Sequence, residues 1–190
     1  MKNLTQTINN IISLTEDEDN EVLSRFNLEE FNRNEFVVKI GQYCNKIFFV
    51  KSGQLRVYYD DDRGNEVTCY FTKENEFISS YTSFLTHTPT KENIQAIQHC
   101  ELLSISKDQL EKLSERVPKI HQFRRIIAEN LFIAMERRVA MLQSQSAQEA
   151  YENIIKENPE LVLKIPQQYL ASFLGITPQH LSRIRKNTKS

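Results

Sequence analysis

No hydrophobic run in the sequence approaches the roughly 20 residues that a helix needs to cross a bilayer. The longest, Ile47-Phe48-Phe49-Val50 and Leu131-Phe132-Ile133-Ala134-Met135, are short, and the polar stretch from Met1 to Asn10 holds no basic and apolar leader. The expectation is a cytoplasmic protein that touches no membrane. Cysteine is sparse: Cys44, Cys69 and Cys100 lie far apart and form no CxxC pair. That argues against a disulfide framework or zinc ribbon and for buried, reduced thiols. The four histidines, His87, His99, His121 and His180, are isolated from one another. A cupin-like metal enzyme needs two of them one residue apart with a glutamate nearby. No Ser/His/Asp set or glycine-rich phosphate loop stands out either. No catalytic residue, metal site or cofactor is therefore expected, and the chain reads as a non-enzyme. Acid is missing at one end: from Leu161 to Ser190 there are five basic residues and no acidic one, in a chain whose net charge is -1. A small basic tail on an acidic body suits a polyanion partner.

What is present is the composition of an ordinary soluble protein, with 39% hydrophobic and 26% charged residues in 190, enough for one or two small domains. A first helix is expected over Thr15 to Phe26, opened by the capping pair Thr15 and Glu18. From Glu35 to Ile105 the pattern changes to short β-prone runs: EFVVKI, KIFFVK, QLRVYY, EVTCYF, NIQAI and ELLSI. Gly41, Gly53 and Gly64 fall in the breaks, and Asp60 to Asn65 has hairpin-turn composition. These features predict a compact antiparallel roll of short strands.

Ser106 then caps a short helix, and Pro118 opens a longer one without a breaker until Gln143. Ile120, Phe123, Ile127, Leu131, Ala134, Arg138 and Met141 follow 3–4 spacing along it. At 1.5 Å per residue this helix spans about 37 Å, and a partner helix is the economical cover for its stripe. The reading is a homodimer helix, with intrachain packing covering part of the surface. Ser144-Gln145-Ser146 reads as a hinge, and Ser146 with Glu149 forms a second capping box.

The segment QQYLASFLGITPQHLSRIRK, residues 167–186, reads as helix, tight turn, helix. Leu170, Leu174, Ile176, Leu181 and Ile184 fall where the two helices meet, Ala171 at their close approach, and Gly175 at the turn. Thr177 is placed to cap the second helix, with Pro178 at its first position. Gln179, Ser182, Arg183 and Lys186 are then left on outer faces, flanked by His180 and Arg185. Arg and Gln match base edges bidentately, and Lys, Arg and Ser hold phosphates.

On these motifs and their order the chain resembles the cyclic-AMP receptor protein/fumarate–nitrate reduction regulator (CRP/FNR) superfamily. The likeness runs through the roll with its turn glycines (Ile40-Gly41, Lys51-Ser52-Gly53-Gln54-Leu55, Asp62-Arg63-Gly64), the long helix and the C-terminal helices. YLASFLGITPQHLSRIRK is similar to the form found in regulators of the Bacteroidetes group. The resemblance implies an α+β chain in three parts. Residues 1–116 form a jelly-roll-like, double-stranded β-helix of cyclic-nucleotide-binding type, 117–145 a dimerisation helix and hinge, and 146–190 a helix-turn-helix domain with its wing absent or truncated. It also implies a homodimer on double-stranded DNA at an imperfect palindrome, with RNA polymerase as a further partner where the outcome is activation. Gln179, Ser182 and Arg183 correspond to base or phosphate contacts and Gln167 to a phosphate contact, and Thr177, His180, Arg185 and Lys186 complete the expected DNA-binding set.

In cyclic-nucleotide-binding members a Gly-Glu pair holds the ribose and an Arg-Ser/Thr-Ala run holds the cyclic phosphate. Here Ser79-Ser80 and Thr90-Lys91-Glu92 stand at those places. The ribose carboxylate and the phosphate arginine are both gone, so the resemblance implies a scaffold that has lost its cyclic-AMP chemistry. An effector pocket built from Phe77, Ser79, Ser80, Tyr81, Thr90 and Lys91 stays open, its ligand a small molecule of unknown identity. Two other readings stay open beside the regulator: a ligand-binding or protein-interaction module that does not act on DNA, and the cupin-like metal enzyme.

Overall fold

The computed structural model describes residues 2–188. Its elements, in chain order, begin with α1 (Lys2–Asn9), α2 (Glu16–Ser24), β1 (Asn27–Phe31), β2 (Phe36–Val38), β3 (Lys46–Ser52), β4 (Leu55–Asp60) and β5 (Glu66–Phe71). β6 (Phe77–Ile78), α3 (Tyr81–Thr86), β7 (Asn93–Ala96), β8 (Cys100–Ser106), α4 (Lys107–Arg116) and α5 (Lys119–Ser144) follow. Helices α6 (Ala147–Glu157), α7 (Pro159–Lys164), α8 (Gln167–Phe173) and α9 (Pro178–Thr188) complete the described residues. Two four-stranded sheets, ordered β1-β8-β3-β6 and β2-β7-β4-β5, make an antiparallel roll.

The chain divides into two compact units, residues 1–57 with 71–130 and residues 58–70 with 131–190. In the first unit, helices α1, α2, α4 and the start of α5 bury Leu4, Ile8, Val22, Leu113, Ile120 and Phe123 against Phe49, Leu103 and Ile105 of β3 and β8. Local chemistry sets the helix ends. Thr15 Oγ1 accepts from the Glu18 amide at 3.3 Å, and the Glu18 carboxylate accepts from the Thr15 amide at 2.8 Å. Ser106 accepts from the Gln109 amide to open α4. The turn between β4 and β5 is held by Asp61, which accepts from the amides of Arg63 and Asn65 at 2.9 and 2.8 Å.

Gly53 is fixed by sterics as well as by its φ of 92°. A Cβ built there would lie 2.7 Å from Cys100 Sγ and 2.8 Å from Cys100 Cα, with the His99 carbonyl closer still. Gly53→Ala is therefore expected to cost about 2 kcal/mol or more, by left-handed strain and overlap together. Urea unfolding of the variant measures it, and an unchanged midpoint would contradict the packing described.

Candidate nucleic-acid interface and sensor site

In the second unit the C-terminal helices build a surface from their caps upward. Helix α8 ends in a Schellman motif: the Ile176 amide donates to the Ala171 carbonyl and the Gly175 amide to the Ser172 carbonyl, each at 3.0 Å. Gly175, at φ 69°, takes the left-handed position that this motif needs. Thr177 Oγ1 then accepts from the His180 amide at 3.2 Å and starts α9. Leu170, Ala171, Leu174, Leu181 and Ile184 are buried, which locks the two helices together.

That packing leaves Gln179, His180, Arg183 and Lys186 exposed and Ser182 half-buried on α9. Two predicted contact residues have other work. Gln167 Nε2 donates to the Pro178 carbonyl at 2.8 Å, tying the start of α8 to the start of α9. Arg185 is half-buried, donates to the Val162 carbonyl and has its guanidinium 6.0 Å from the Tyr151 ring. Ser172, unremarked in the sequence, accepts from the Thr68 amide at 2.9 Å and donates to the Glu66 carbonyl at 2.7 Å. It fastens α8 to the β4–β5 hairpin. Arg138 of α5 lies 3.8 Å over the Phe173 ring, and burial draws its pKa down.

Helix α5 has two apolar faces. The stripe expected to pair protomers begins inside the chain's own core, where Ile120 and Phe123 are buried and Ile127 packs against them. Farther along it, Leu131 and Ala134 are exposed and Met141 is half-buried. A second face carries Phe132, 65% exposed, together with the exposed Met135, Val139 and Leu142. Their alternating spacing of three and four is that of a coiled-coil seam.

The residues proposed as an effector pocket do not converge on one point. Phe77 and Tyr81 line an apolar cavity of about 60 Å³ in the first unit, with Phe84, Ile120, Phe123 and Ile127 among their companions. Ser79 Oγ donates to the Lys46 carbonyl at 2.8 Å. Ser80 and Thr90 are buried and hydrogen-bonded to each other at 2.7 Å, and Lys91 is exposed. Where a cyclic phosphate would need a cation, the half-buried neighbour is Glu92, whose carboxyl burial pushes up from its ordinary value while the Ser80 hydroxyl partly offsets the shift. Helix α3 itself is firmly held, because Lys107 Nζ donates to the Phe84 and Leu85 carbonyls at 3.0 and 3.3 Å.

The raised pKa of Glu92 carries a sign. Ionisation in the folded state is penalised, so the penalty is absent below the ordinary value of 4.5 and complete above the raised one. Glu92→Gln is expected to raise the unfolding midpoint near pH 7 and to leave it unchanged near pH 3.5. Denaturation at the two pH values checks this; equal gains at both would assign the effect to something other than charge burial.

Residues 28–117 match the family model described as the cyclic nucleotide-binding domain. No curated protein sequence matches the chain. Among solved structures, FixK2 from Bradyrhizobium japonicum is 14% identical with a TM-score of 0.75, covering 85% of this chain and 83% of that one. The catabolite activator protein of Thermus thermophilus is 20% identical with a TM-score of 0.60, covering 95% and 85%. A protein of Eubacterium rectale ascribed to the CRP/FNR family of transcriptional regulators is 16% identical with a TM-score of 0.70, covering 93% and 84%. At these identities the likeness establishes the fold.

Proposed function

We propose that this chain, which carries a cyclic nucleotide-binding domain over residues 28–117 and has the fold of the CRP/FNR transcription regulators, is a homodimeric, sequence-specific DNA-binding regulator whose cyclic-nucleotide site has lost its ligand chemistry. The observation that carries the reading is α9: a capped helix on a buried support that turns Gln179, Arg183 and Lys186 to solvent, with no acidic residue in it. Arg183 and Gln179 read base edges in the major groove, while Ser182 and Lys186 hold phosphates. Gln167 acts by positioning α9 through Pro178 rather than by touching DNA.

The partner is a second copy of the chain, met through Phe132, Met135, Val139 and Leu142 of α5. Two recognition helices then enter successive major grooves about 34 Å apart. The roll is the sensor part, and cyclic AMP is not its ligand: Ser80 and Thr90 satisfy each other, and the Glu92 carboxylate opposes a phosphate. Selection and sequencing of duplexes bound from a random pool tests the reading. An enriched palindrome with half-sites one helical turn apart supports it. Recovery of unselected sequence even at low salt would favour a module that docks a protein partner instead.

A further inference from the structure

The cavity of the first unit lies in the packing between the roll and helices α1, α2, α4 and α5, and its wall joins Phe77, Tyr81 and Phe84 to Ile120, Phe123 and Ile127. We propose that this cavity is a binding site for a small, uncharged, apolar guest of about two to four non-hydrogen atoms, and that α5 senses its occupancy. The binding claim stands on the cavity alone; the sensing claim rests on the regulator reading.

Size, polarity and charge each restrict the guest. An engineered apolar cavity of about 150 Å³ takes up benzene. The volume here, about 60 Å³, is well under half of that and favours a guest smaller than a six-membered ring. Among the described residues, no side-chain polar atom that is buried without a hydrogen bond belongs to the lining. Water would therefore find too few partners there, and the space favours an apolar occupant. The charged lining residue, Arg124, has both terminal nitrogens on the Glu111 carboxylate at 3.0 Å and one of them on Ser114 Oγ at 3.3 Å. Its charge is matched, so it does not call for an anion. Tyr81, Arg124 and Ile127 are only half-buried and form the outer rim of the wall.

Occupancy reaches α5 through direct contact. Phe77 meets Phe123 edge-on at a centroid distance of 5.4 Å, and the Phe49 ring stands 5.1 Å from that of Phe77. A guest that pushes this aromatic group outward pushes on the first turns of α5. Close-packed interiors transmit such a displacement rather than absorb it.

Xenon is the probe, applied to the full chain labelled at isoleucine δ1 methyls. Ile8, Ile47, Ile105, Ile120 and Ile127 line the cavity, whereas Ile94 and Ile97 are buried elsewhere and serve as controls. The expected result is a saturable shift at lining methyls and none at the controls, lost in Ile127→Phe, which fills the rim at a half-buried position. On a selected duplex, saturation with xenon should change affinity about fivefold or more. Non-saturating shifts, or equal shifts at lining and control methyls, overturn the site. Saturation with unchanged duplex affinity overturns sensing. Failure to bind any duplex, with or without xenon, defeats the regulator reading and the sensing claim with it, while the methyl shifts decide the site by themselves.

Discussion

Val139→Asp is expected to turn the proposed homodimer into monomers and to remove specific duplex binding. Val139 is 53% exposed on α5, between Met135 and Leu142 on the outward seam, so the substitution spares the chain's own core. In a two-fold dimer each seam residue faces its counterpart, and two carboxylates would be brought together in an apolar interface. Burying an unpaired charge costs several kcal/mol, and about 1.4 kcal/mol is a decade in affinity. A fall of roughly three decades or more in dimer affinity is therefore expected, together with loss of the second half-site. Light scattering reads the mass and anisotropy reads the duplex. An intact dimer would place the interface elsewhere. Ile127→Asp, on the other face, is a poorer test, because Ile127 packs against the intrachain core and its loss would also destabilise the first unit.

Arg183→Ala is the second large effect. Arg183 is exposed in the middle of α9, one residue before the buried Ile184, and its capped helix fixes where the guanidinium starts from. A bidentate pair with a guanine edge contributes about 1 to 3 kcal/mol of discrimination, and the proposed dimer loses one in each half-site, so affinity for the selected duplex should fall by about thirtyfold or more. Binding to unrelated duplex should fall far less, since that part depends on phosphate contacts. Circular dichroism should be unchanged at an exposed site. Equal losses on both duplexes would move Arg183 from base reading to phosphate holding.

Much of the fold was legible because its signals are local. The runs read as strands are β2, β3, β4, β5, β7 and β8, and the capping pairs at Thr15 and Ser146 start helices as read. What escaped was decided by neighbours. Helix α1 has polar composition, yet Leu4, Ile8 and Ile12 at four-residue spacing bury one face of it and its end. Strand β1, with the sequence NLEEF, pairs among the described residues with β8 at a sheet edge, where charged side chains are tolerated and apolar alternation is not required.

The same limit applies to the sites. Periodicity found a real apolar stripe on α5, but a single helix holds two such faces, and only tertiary packing shows that the first one is covered from within at Ile120, Phe123 and Ile127 and exposed at Leu131 and Ala134. Gln167 reads as a phosphate contact by the resemblance; that its Nε2 also bonds the Pro178 carbonyl was not legible. At the expected cassette the sequence shows Ser79-Ser80 and Thr90-Lys91-Glu92; that Ser80 and Thr90 bond each other while Phe77 and Tyr81 line a separate cavity was not legible. Side-chain pairing across ten residues of chain leaves no mark in composition.

The central claim is that α9 reads DNA sequence, and its most direct test is an anisotropy titration of the selected duplex against a scrambled one at low and moderate salt. The account predicts tight binding of the selected duplex, weaker binding of the scrambled one by about three decades, and a steep loss of both with added salt. Indistinguishable affinities for the two duplexes, insensitive to salt, would contradict it.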